Sequence, residues 1–165
     1  MLPSARQREN PHDKLERGEG IGCAMNTFLL WLHPLLQTAA AVIGIWAMWQ
    51  GSKRVQMLLG KKVPFPWKQH VKLGTWALCQ WSLGALAFYS VYAVFGYAHI
   101  TGLHAYLAWP IIALSLFGLA SGYVMDRRKK KRKWLPIFHG LSNGILLCLV
   151  LLECWTGIKL CFHWL

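Results

Sequence analysis

The sequence predicts an all-α fold: an integral membrane four-helix bundle with up-down-up-down topology. Three observations carry this reading. The 165 residues are 55% hydrophobic and only 15% charged, against about 25% charged in a soluble domain. The charges are gathered in blocks. The apolar runs between them are long enough for a bilayer, which takes about 20 residues at a 1.5 Å rise. Finally, a histidine stands near the start of each run: His33, His70, His104 and His139.

The elements follow in order. Residues 1–25 form a polar tail in which Glu9, Asp13, Glu16 and Glu19 face Arg6, Arg8, Lys14 and Arg17. Such a nearly neutral tail can cross a membrane, and it lacks the short apolar core and cleavage site of a signal peptide. Residues 26–165 form the helical domain. The first span is placed at 26–50, ending before the polar run Gly51-Ser52-Lys53-Arg54. Residues 60–66, with one glycine and two prolines, have turn chemistry. The second span is 71–95, and the short connection 96–102 makes it an antiparallel neighbour of the third, 103–125. Pro110 is expected to kink that third helix. The fourth span is 135–160. Trp31, Trp49, Trp67, Trp109, Trp134 and Trp155 fall near span ends, where an aromatic belt puts them.

The net charge of +12 raises nucleic acid as a partner, and its placement argues for membrane lipid instead. Thirteen basic residues lie in or beside two loops, after the first and third spans, including the unbroken run 127–133. Up-down topology puts both loops on one face. The positive-inside rule then makes them cytoplasmic and both termini external, in the cytoplasmic membrane if the source is bacterial. The 127–133 run reads as a topology signal touching anionic lipid. The five cysteines form no Cys-x-x-Cys pair and no Cys-x-x-Cys-His haem attachment, so they read as small apolar fillers.

An up-down bundle sorts the four histidines into layers. His33 and His104 start at one face, His70 and His139 at the other, and each pair is diagonal across the core. Two imidazoles facing each other suit the axial ligands of a haem iron. A membrane histidine also has a plain reading, bonded to a carbonyl or headgroup. Gly122 follows His104 by 18 residues and Gly157 follows His139 by 18. Five turns put each glycine on its histidine's face about 27 Å further along, near the opposite layer. Missing side chains there admit a flat macrocycle or simply pack helices. Gly118/Gly122 and Gly140/Gly144 have the spacing for the second role. Gly51 also lies 18 residues after His33, but at the expected helix end. His99 is placed in the short loop as an alternative ligand, a propionate partner or a solvated side chain. Glu153 is the acid well inside a span, at the depth of the His33/His104 layer.

At these residues the chain resembles the four-helix core of the cytochrome b561 family of transmembrane di-haem proteins and related small bacterial membrane cytochromes. His33-Pro34-Leu35-Leu36 is similar to that family's first ligand helix, and His99-Ile100-Thr101-Gly102-Leu103-His104-Ala105 to its His-x-x-Ser-Leu-His-Ser segment. The run from His139 to Gly157-Ile158-Lys159 looks like its last ligand helix. Lys68, two residues before His70, stands where the family has a basic residue beside the cytoplasmic haem.

The resemblance covers roughly 32–160. It implies two b haems, with His33 and His104 holding the outer one and His70 and His139 the cytoplasmic one. The stretch Trp49-Gln50-Gly51-Ser52-Lys53-Arg54 departs from the family's substrate-associated segment, so ascorbate as donor is not implied. A quinol or a redox protein fits as well, with the chain as a subunit of a larger complex and no catalytic residues of its own. The competing expectations are a haem-free anchor or assembly subunit and a small proton-coupled transporter.

Overall fold

Proline and glycine set the helix boundaries, and they do so further out than the charge pattern suggests. The computed structural model describes residues 19–86, 102–128, 130 and 132–164. Among these residues the chain is all-helical: α1 Glu19–Leu58, α2 Trp67–Leu83 with a 3-10 turn Gly84–Leu86, α3 Leu103–Arg127 and α4 Trp134–Trp164. Three helices are long and apolar enough to cross a membrane, over Trp31–Met57, Leu103–Arg127 and Trp134–Phe162.

The first correction concerns α1, which continues eight residues past Gln50. The polar run that reads as a helix end is absorbed by the helix. Ser52 Oγ donates to the Trp49 carbonyl at 2.7 Å, and Lys53 Nζ lies 3.9 Å from the centre of the Trp49 ring. The real stop is Gly60, at φ 83°. Its N–H donates to Met57 O at 3.1 Å, and Lys61 N–H donates to Gln56 O at 3.0 Å. This pair of bonds closes a helix end around a left-handed glycine.

Helix α2 begins at Trp67, four residues ahead of expectation, because Pro66 has no N–H to lose and caps the first turn. His70 thus lies inside the helix, its N–H donating to Pro66 O at 3.0 Å. The rest of the second expected span, 87–95, lies outside the described residues, as do His99 and residues 1–18. Helix α3 passes through Pro110 as one element, and α1 passes through Pro34.

Each helix packs on two others: α1 on α2 and α4, and α3 on α2 and α4. Contacts along α1 and α2 run in opposite order. Gln37 meets Gln80 and Gly84, Gly44 meets Trp81, and Ala47 meets His70. Helices α3 and α4 do the same, with His104 against Thr156, Gly118 against Asn143, and Ser121 against His139. The core gathers Ala40, Ala41, Ala77, Leu78, Trp81, Ile111, Leu146 and Val150. Gly44 lets the Trp81 indole lie on the α1 backbone, where a Cβ would collide with it. Gly118 is likewise closely covered, by Asn143 and Leu78, as its packing role requires. Gly140 and Gly144 differ, since a Cβ at either meets none of the described residues within 4 Å. Their spacing does not mark a seam, because that side of α4 turns away from its neighbours.

The outer surface is apolar as well. Val42 and Trp46 on α1, Trp76 on α2, Trp109 and Leu116 on α3, and Leu141, Ile145 and Trp155 on α4 are all exposed. A helix that is hydrophobic all round belongs in a large core or a membrane.

Candidate functional site

The helix pairing brings the four histidines together two by two. In the upper layer, His33 on α1 and His104 on α3 stand with ring centroids 6.3 Å apart and planes at 85°. His104 Nδ1 is 3.0 Å from Thr156 Oγ1 and 3.4 Å from Glu153 Oε1. In the lower layer, His70 on α2 and His139 on α4 are near enough to interact electrostatically. His70 Nδ1 is 2.9 Å from the Ala47 carbonyl, and His139 Nδ1 is 2.7 Å from Ser121 Oγ. Phe65 covers the His70 ring at 5.5 Å.

These partners decide where the proton sits on one imidazole of each layer. A backbone carbonyl only accepts, so His70 must donate from Nδ1. Thr156 gives its hydroxyl proton to Glu153 O at 3.0 Å, and Ser121 gives its proton to Phe117 O at 2.7 Å. The Thr156 oxygen is left to accept from Nδ1–H of His104, with Glu153 Oε1 as a second acceptor beside it. His139 Nδ1 instead stands between Ser121 Oγ and the Asn143 amide nitrogen, a donor at 3.4 Å, so its partners do not set one tautomer. His70 and His104, one in each layer, are therefore held with the proton on Nδ1 and the lone pair on Nε2. A metal-bound imidazole needs that arrangement, with the second nitrogen anchored to an acceptor. Asn143 steadies the start of α4 by donating from Nδ2 to the His139 carbonyl at 2.6 Å.

Glycines bring a neighbouring backbone against each of these rings. A Cβ on Gly157 would lie 3.1 Å from His104 Cε1, one on Gly51 would lie 3.1 Å from His70 Cε1, and one on Gly122 would lie 3.5 Å from His139 Cε1. Gly157 and Gly122 thus sit at the layer opposite their own helix's histidine, where five turns put them. Gly51 joins them because α1 continues past it. It is a site residue that sequence reasoning set aside as a helix end.

The three glycines share a longer pattern. Ser121-Gly122 follows His104 by 17 and 18 residues, and Thr156-Gly157 follows His139 by the same interval. Helices α3 and α4 therefore exchange partners, each receiving the other's histidine on a hydroxyl–glycine pair. The hydroxyls went unnoticed in the sequence, although the shared interval is a signal that could have found them.

Among the described residues, no three His, Cys, Asp or Glu side chains gather to hold a metal by themselves. The donors come in facing pairs. A metal between two imidazole nitrogens, at about 2 Å from each, sets the ring centres about 6 Å apart, and the His33/His104 spacing of 6.3 Å fits. Two imidazoles that held a metal between them would leave its other positions to a planar group such as a porphyrin.

The remaining expected residues are less engaged. Lys68 is exposed on the first turn of α2. Glu153 sits beside His104, at the depth expected, with side-chain exposure of only 17%. Compared with protein-family models, characterised proteins and solved structures, the chain matches none.

Proposed function

We propose that the chain is an integral membrane, up-down-up-down b-type cytochrome that carries electrons across the bilayer on two haems. His33 and His104 hold the outer haem, and His70 and His139 hold the cytoplasmic one. The observation that carries this reading is the shared anchoring: in each layer one half-buried imidazole, His70 or His104, is held at Nδ1 by an acceptor and keeps an Nε2 lone pair for a metal. Simple structural histidines need no such shared orientation.

When bound, haem iron between two imidazoles supplies reversible one-electron chemistry. The chain supplies the rest. Thr156, Ser121 and the Ala47 carbonyl orient the ligands, and Gly51, Gly122 and Gly157 bring backbone close to them. The apolar exterior excludes water from both layers. The basic loops face the cytoplasm and anionic lipid, with both termini outside. With no catalytic group of its own, the protein passes electrons between a quinol or redox protein on one side and an acceptor on the other, as a subunit of a larger complex.

The test is haem content. The chain is purified in mild detergent after expression with haem supply, then assayed by pyridine haemochrome and dithionite-reduced spectra. Two b haems per chain are expected, falling to one in both His104→Ala and His139→Ala. A colourless, folded protein overturns the reading in favour of a haem-free anchor subunit.

A further inference from the structure

The interval that places Ser121-Gly122 and Thr156-Gly157 recurs on α1. Counting 17 and 18 residues from His33 reaches Gln50-Gly51. Gly51 meets the His70 ring, as Gly122 meets His139 and Gly157 meets His104. Gln50 therefore holds the position of the two hydroxyl residues, but it does not perform their task. His70 Nδ1 is bonded to the Ala47 carbonyl, one turn earlier. Gln50 is only 1% exposed, and its Oε1 is buried without a hydrogen-bond partner among the described residues.

An unpaired amide oxygen inside the protein is costly, because its lost hydration is not replaced. A leucine would fill the same space at no such cost. Such a group, set in the same layer as the His70 and His139 pair, points to something that binds there. A porphyrin's polar periphery is its two propionate carboxyls. A propionate carboxylate only accepts, and a half-turn of the Gln50 amide puts its Nε2 N–H groups, which donate, where Oε1 now stands.

We propose that Gln50 is a positioning residue of the lower layer, its amide hydrogen-bonding a propionate of the haem held by His70 and His139. This contact rests on the di-haem reading and adds a residue to it. The amide is kept for the bound group and contributes nothing to the haem-free fold.

The experiment uses the full-length chain in a His104→Ala background, so that only the lower layer binds. Haem b and haem b dimethyl ester, which lacks free carboxyls, are titrated into wild-type and Gln50→Leu protein. Thermal unfolding of the haem-free forms is measured alongside. The expected result is that Gln50→Leu leaves haem-free unfolding unchanged or raised, weakens haem b binding about tenfold, and leaves dimethyl-ester binding unchanged. Gln50→Met, which keeps the chain length, repeats the test if leucine packs badly. Lowered haem-free stability with unchanged haem affinity overturns the proposal and makes Gln50 structural. An equal loss with haem and its ester also overturns it, because the carboxyls are then not what the amide touches. If no protein binds haem, the di-haem reading itself falls, and this contact falls with it.

Discussion

Ser121 Oγ stands 2.7 Å from His139 Nδ1 and equally close, at 2.7 Å, to the Phe117 carbonyl of its own helix. One hydroxyl thus ties a histidine of α4 to the backbone of α3.

Ser121→Ala removes that partner and leaves the half-buried His139 ring without it. Affinity for haem in the lower layer is expected to fall about 10–100-fold, the usual effect of losing a ligand's hydrogen-bond partner. Ser121→Thr should restore it. Thr156→Ala should act on the upper layer alone. Haem titrations followed by reduced-minus-oxidised spectra separate these outcomes. Equal effects of Ser121→Ala on both layers would falsify the assignment of Ser121 to His139.

Two glycines of α4 should respond oppositely to alanine. At Gly157 the new methyl presses on His104 at 3.1 Å, and the Nδ1 bond to Thr156 keeps the ring from sliding away. A loss of about 1–3 kcal/mol is expected. At Gly140 none of the described residues lies within 4 Å, so alanine should be neutral or stabilise by up to about 1 kcal/mol through helix propensity. Thermal unfolding in detergent gives the comparison.

Gly44→Ala should destabilise by about 1–3 kcal/mol, since its methyl collides with the Trp81 ring system. Trp81→Leu in the same chain should recover part of that loss. An additive double variant would mean that the two residues do not share this contact.

Cys148 is exposed on α4, close to the exposed apolar side chains Ile145, Leu151 and Leu152. If those surfaces face lipid, Cys148 kept as the single cysteine should resist a charged maleimide in native vesicles. It should react with a lipid-soluble maleimide, and with both reagents after solubilisation in denaturant. Rapid labelling by the charged reagent in intact vesicles counts against the membrane placement of α4.

The parts legible in the sequence were those governed by helix geometry. The helical class, three of the apolar spans, the depth of Glu153 and the opposite-layer positions of Gly122 and Gly157 all follow from 3.6 residues per turn and a fixed rise. The end of α1 was misjudged because Lys53 and Arg54 resemble an interface, whereas long basic side chains can lie back along a helix that continues beneath them. The Ala47 carbonyl that anchors His70 was invisible, since a backbone acceptor leaves no mark in the residue pattern. Ser121 and Thr156 were hidden for another reason. A hydroxyl within a helix ordinarily bonds its own preceding turn, and both do so here while also serving a histidine from the next helix.

The exchange between α3 and α4 ties the two ends of the molecule to one mechanical register. Because each helix gives a histidine at one end and receives one at the other, over the same number of residues, sliding α3 against α4 by a single position breaks both layers together. A point substitution can silence one end, while a one-residue insertion between His104 and Ser121 must move one end out of step with the other. The hairpin therefore behaves as a gauge whose length is written in helix turns, and the distance between the two layers cannot drift while both remain intact.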